Sequence, residues 1–149
     1  MVGMRLQRAK GLFFDRQRVL SLVNRAERRV LSKFGAFVRQ GARSSIRRRK
    51  RSSRPGQPPS SHTGLLKRNI FFVYEPVRSS VVIGPIRLNQ AVGDAPAALE
   101  HGGRSQVVTG GRKGKRTIRS VTIQPRPFMG PAFEREHPKL PQMWKDVVG

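Results

Sequence analysis

The chain has 149 residues, 31 Lys and Arg against 8 Asp and Glu, and a formal net charge of +23. That length allows one domain with a real core and no comfortable second one, and a charge of that size predicts a polyanionic partner, nucleic acid or acidic protein, without bearing on fold. Cysteine is absent, which excludes disulfides and thiolate metal sites, and no apolar run approaches the ~20 residues of a bilayer span, so no membrane association is expected.

Residues 1–14 (MVGMRLQRAKGLFF) read as an N-terminal arm whose apolar part is too short and broken for a signal peptide. From Asp15 to about Lys50 there is no proline. Val19, Leu22, Val23, Ala26, Val30, Phe34, Phe37, Val38, Ala42 and Ile46 recur at steps of three and four, which predicts one long amphipathic helix with an apolar stripe along the core. Asp15 is the expected N-cap. Gly35 and Gly41 each weaken such a helix by about 1 kcal/mol relative to alanine, so its last third is expected to bend or fray. Arg43 and the unbroken run Arg47, Arg48, Arg49, Lys50 and Arg51 close the stretch as a basic surface.

RSSRPGQPPSSH, residues 51–62, cannot continue a helix and reads as an extended loop. Ile70 to Tyr74 is β-branched and aromatic, which predicts a strand over about 68–75 ended by Pro76. Ser80 to Gly84 is its hairpin partner. Ile86 to Leu88 extends as a further strand candidate. Ala95 to His101 is a short helix, with Pro96 near its start and Gly102-Gly103 past its end. A second extended loop is expected over about 104–116, tipped by the basic GGRKGKR with Arg112, Lys113, Lys115 and Arg116. Thr117 to Ile123 alternates as a strand, and short helices over about 131–136 and 142–148 finish the chain. The loops 51–62 and 104–116, like the arm, carry little apolar area and are expected to order only against neighbours. Residues 15–149 are thus a single α+β domain: a long N-terminal amphipathic helix packed on a small, mostly antiparallel sheet spanning residues 68–84 and 117–123, with short C-terminal helices.

No catalytic residue, metal ligand or cofactor site is predicted. The acids are scattered, His62, His101 and His137 stand apart, and GGRKGKR lacks the order of a P-loop. The basic positions Arg43, Arg47 to Arg51, Arg112, Lys113, Lys115 and Arg116 suit phosphate or acidic-protein contact. No pattern for base reading accompanies them.

Three segments, in this order, carry a family resemblance. The first is Pro55-Gly56-Gln57-Pro58-Pro59 followed by Thr63-Gly64-Leu65-Leu66 and a leucine-led strand through Ile70. The second is Ala97-Ala98-Leu99-Glu100-His101-Gly102-Gly103. The third is Pro125-Arg126-Pro127-Phe128-Met129-Gly130-Pro131-Ala132-Phe133-Glu134. Together they resemble the tail-completion, or neck, proteins of long-tailed double-stranded DNA bacteriophages, over roughly residues 15–148. The resemblance implies a non-enzymatic subunit of a homo-oligomeric ring, commonly sixfold. Such a ring is assembled in the host cytoplasm and resides in the virion between neighbouring connector and tail proteins, with DNA passing through its channel. His101 replaces the commoner aromatic, and the basic excess is unusually large. The alternative reading is a free basic nucleic-acid-binding protein that contacts the phosphate backbone without sequence readout.

Overall fold

The computed structural model describes residues 15–86, 95–109 and 117–148. Expectations for the arm 1–14, for a strand through residues 87–88 and for the loop tip at 110–116 lie outside the described residues.

Helix α1 (Arg16–Ser45) is the spine, and Asp15 caps it, Oδ1 accepting from the Arg18 amide at 3.1 Å. Its buried residues Val30, Phe34, Val38 and Ala42 repeat every four positions, and Ile46 continues the row just past the last turn. Around this row the C-terminal segment supplies Phe128, Ala132 and Met143, and Leu66 and Ile70 enter beside them. Each fully buried side chain of this size contributes about 1.5–3 kcal/mol.

Two expectations for the helix are corrected. It does not fray: Gly35 and Gly41 are points of close approach rather than weak links. A Cβ at Gly35 would stand 2.8 Å from Val81 Cγ2 and 2.9 Å from Phe72 Cδ2, and at Gly41 it would collide with the Arg135 guanidinium. Nor does it reach Lys50. At Ile46 the backbone turns extended, at φ −78° and ψ 108°, which seats that side chain in the core. The arginines that follow thereby avoid the like-charge stacking that i,i+3 and i,i+4 positions of a helix would impose.

Arg47–Arg48 forms strand β1, paired in parallel with β2 (Ser60–Ser61). The loop between them touches its own subunit through Ser53 and Pro59, which are buried, while most of its other residues are exposed. Instead of a leucine-led strand, Leu65–Arg68 is a helical turn, α2, entered through Gly64 at φ +77°. β3 (Ile70–Glu75) and β4 (Ser80–Pro85) make the expected antiparallel hairpin, with Val73 opposite Val82 and Phe71 opposite Gly84. Alternation turns Phe72 and Val81 toward α1 and leaves Phe71, Val73 and Val82 outside. Arg39 ties helix to hairpin, its Nε donating to the Ile70 carbonyl at 2.7 Å while its guanidinium lies 5.8 Å from the Phe71 ring centroid.

Helix α3 (Ala95–His101) ends at Gly102, whose φ of +77° suits glycine and whose amide donates to the Ala98 carbonyl at 2.9 Å. Residues 104–109 are not loop. They belong to strand β5 (Gly103–Thr109), fully paired with β6 (Thr117–Ile123). The described strands make three separate two-stranded ladders rather than one sheet. α1 packs on β3–β4 alone, and the β6 side chains are exposed except at Ile123. Helix α4 (Met129–Glu136), a 3-10 turn (His137–Lys139) and helix α5 (Leu140–Val148) return the chain to α1. Phe133 meets Phe34 edge-on at 5.7 Å between centroids and stacks on His137 at 5.2 Å.

The apolar stripe is core only in its second half. Val19, Leu22 and Val23 are 41%, 54% and 51% exposed, and Leu22 and Val23 border an open cavity with Val147 of α5. Among the described residues no helix is long and apolar enough to cross a membrane.

Candidate functional site

The three resemblance segments lie far apart in the chain and meet at one place. Helix α4 begins at Phe128, whose side chain supplies no cap and is itself buried in the core. Its free amides are satisfied from α3: Glu100 Oε2 accepts from Phe128 at 2.9 Å and Met129 at 3.0 Å, and Oε1 from Gly130 at 2.7 Å. A carboxylate on a helix N-terminus answers both the unpaired donors and the positive end of the helix dipole. Just upstream in each segment, the Arg126 amide donates to the Leu99 carbonyl at 2.6 Å. The first segment joins through the Gly56 amide, which donates to the Pro125 carbonyl at 2.8 Å, and through Arg126 Nε, which donates to the Ser53 carbonyl at 3.0 Å. Ala132, next to Pro131, is buried against α1, while Pro127 is half-buried at the junction.

The other segment residues have local tasks. Thr63 Oγ1 accepts from the Leu65 amide at 3.3 Å, and the Gly64 amide donates to Ser61 Oγ at 2.8 Å, which shapes the start of α2. Leu65 and Phe133 are exposed, and Leu99 packs on the core's edge. Pro58 and Pro59 wall a groove.

That groove, of about 560 Å³, runs between β1, the proline loop and α4. It is lined by Ser44, Ser45, Arg47, Arg49, Gln57, Pro58, Pro59, Ser60 and Arg135. On the other side of the same backbone a smaller groove of about 310 Å³ is lined by Arg48, Arg49, Lys50 and His62. The Ser44 and Ser45 hydroxyls donate to carbonyls of their own helix, at 2.9 and 2.8 Å, so the charged donors left to the groove are its guanidinium groups, with Gln57 and Ser60 beside them. Arg135 donates from Nε to Glu136 Oε1 at 3.2 Å, and its guanidinium lies over Gly41.

Five of the carboxylates are engaged elsewhere. Asp15 caps α1, Glu75 pairs with Arg78, Glu100 caps α4, Glu136 takes Lys139 and Arg135, and Asp146 accepts from Gln142. Among the described residues no ion pair reaches Arg47 to Arg51, and the sequence holds no acid between Glu27 and Glu75.

The structure therefore brings Arg47, Arg48, Arg49 and Lys50 together around two grooves, with Arg51 exposed beside them. Arg43 stands half-buried on the last turn of α1 and lines neither groove. Arg112, Lys113, Lys115 and Arg116 lie outside the described residues. Sequence reasoning missed Arg135, which reaches the groove from a distant helix and carries no local signal, and Arg126, whose place within a proline-flanked segment was the only hint. Among the described residues no three His, Asp or Glu side chains are grouped so as to hold a metal ion.

No protein-family model matches the chain, and neither the curated proteins nor the solved structures provide a match.

Proposed function

We propose that this chain is a structural ring subunit at the neck or tail end of a long-tailed double-stranded DNA phage, joining tail to head around the DNA channel. The observation that carries the assembly is the uncovered apolar surface. Val19, Leu22 and Val23 on α1 and Phe71, Val73 and Val82 on the outer face of β3–β4 are all exposed in one small subunit. The inner face of this hairpin is covered by α1, and its outer face is left as an exposed apolar patch of the kind that marks an interaction surface. Copies of the same chain, arranged around a closed symmetry axis, supply that cover without a second gene product. The placement in a phage neck rests on the resemblance of the three segments. Their convergence on Glu100 is the arrangement expected if they act as one structural unit.

Native mass spectrometry of the purified protein, with imaging of virions, tests the reading. The expected result is an oligomer of fixed stoichiometry, with the chain present in virions at the head–tail junction. A double variant Leu22→Ser, Val23→Ser is expected to keep the subunit folded and to lose the oligomer. A chain that is monomeric at every concentration and missing from virions overturns it.

A further inference from the structure

We propose that the groove between β1 and α4 is a phosphate-binding cleft for the backbone of a nucleic acid strand, gripped by Arg47, Arg49 and Arg135. The inference uses residues of one subunit and stands whether or not the ring forms.

Four observations carry it. First, guanidinium groups from two elements distant in sequence face one groove, and among the described residues no carboxylate is paired with Arg47 or Arg49. Guanidinium forks match phosphate oxygens in pairs, which a lysine cannot do. Second, Glu136 Oε1 engages Arg135 through Nε at 3.2 Å, which biases the orientation of the guanidinium at the edge of the groove. Third, alternate residues of an extended segment stand ~6.6 Å apart on one side. That is close to the step between neighbouring phosphates of a strand, and with β1 extended over Arg47–Arg48 it is the spacing at which Arg47 and Arg49 would meet consecutive phosphates. Arg48 and Lys50 serve the smaller groove behind, and Arg49 borders both.

The fourth observation separates nucleic acid from an acidic protein. Apart from Pro58 and Pro59 the groove offers no apolar or aromatic side chain. Protein interfaces draw most of their affinity from buried aromatic and aliphatic anchors at the centre of the contact. A set of guanidinium groups with no apolar anchor fits an evenly charged polymer. It also lacks the aromatic platform on which bases would stack, so the contact is with the backbone and indifferent to sequence.

Fluorescence anisotropy with a short labelled DNA duplex, titrated over a series of salt concentrations, tests the cleft. The double variant Arg47→Gln, Arg49→Gln is expected to bind about tenfold or more weakly, with the slope of log affinity against log salt reduced by about 2. The loss should be the same for two unrelated duplex sequences. Arg16→Gln, Arg18→Gln removes the same charge from the exposed start of α1 and is the control, expected to change affinity less than threefold. Arg135→Gln is expected to lower the slope by about 1; if that variant unfolds, Arg135→Lys, which keeps a cation for Glu136, reports the loss of the fork instead. Equal losses for the groove and control doubles would overturn the cleft in favour of diffuse charge. A polyglutamate probe losing as much affinity as the duplex for the groove double would overturn it in favour of an acidic protein partner.

Discussion

Glu100 Oε1 accepts the backbone amide of Gly130 at 2.7 Å, joining α3 to the first turn of α4 across the whole β5–β6 hairpin. With Phe128 and Met129 on its other oxygen, one side chain satisfies three amides that the helix itself cannot. Glu100→Ala is expected to destabilise the subunit by about 2–4 kcal/mol, since charged hydrogen bonds contribute about 1.5–3 kcal/mol each and solvent recovers part of the loss. Glu100→Gln keeps one acceptor oxygen and should fall about midway. Equilibrium urea unfolding of the three proteins gives the comparison, and an unchanged midpoint for the alanine variant would remove Glu100 from this role.

The two glycines of α1 predict opposite sensitivities. At Gly35 an added Cβ meets Val81 and Phe72, side chains fixed between helix and hairpin, so Gly35→Ala should cost about 1–3 kcal/mol despite the better helix propensity of alanine. At Gly41 the obstacle is the end of the flexible Arg135 side chain, which can swing aside. Gly41→Ala is therefore expected to be near neutral for thermal stability while weakening DNA binding, because it dislodges Arg135 from the groove. Melting curves for the pair, with anisotropy on the second, decide both points.

Phe34 is 3% exposed and makes the edge-on contact with Phe133. Phe34→Ala should cost about 3–5 kcal/mol. Val23→Ala, on the same stripe but half exposed, should change subunit stability by less than about 0.5 kcal/mol. Chemical denaturation at low protein concentration checks the contrast, which would vanish if the stripe were uniformly core.

That contrast also marks how far the sequence could be read. Period 3.6 located α1 and its N-cap, and the aromatic and β-branched runs located β3, β4 and β6. Periodicity reports that a face is apolar but not which body covers it, so Val19, Leu22 and Val23 look identical to Val30 and Val38 until the ends of the neighbouring elements are known. β5 was concealed because Gly103, Arg104 and Gln106 read as loop. The signal that could have found it was the β-branched Val107-Val108-Thr109 facing the strand Thr117–Ile123 across a glycine-rich turn. The groove was half legible: five consecutive cations announce themselves, whereas Arg135 joins them through tertiary packing alone.

Glu136 gives the fold a dependence on acidity. Its carboxylate is buried, accepting from Lys139 Nζ at 2.8 Å and Arg135 Nε at 3.2 Å. Lys139 first, and Arg135 after it, hold its pKa below the ordinary value of 4.5 against the opposing effect of burial. A depressed carboxyl adds stability that is complete above its unfolded value and is lost as pH falls through the folded one. Glu136→Gln should therefore be less stable than the parent at pH 7, and the gap should close below about pH 4.5. Urea unfolding of both proteins at pH 7 and pH 3 measures it; a constant gap would refute the linkage.

The bond from the Arg126 amide to the Leu99 carbonyl clamps the chain just before β5 and just after β6. Everything between behaves as a cassette plugged into a closed socket. Its length and charge can drift without the core registering the change, because loop closure has already been settled at the socket and lengthening a loop is inexpensive in entropy. The reach and chemistry of the β5–β6 arm can therefore be altered while Glu100, Arg126 and Phe128 keep the socket closed. The same freedom makes the arm the natural place to insert a tag or a probe.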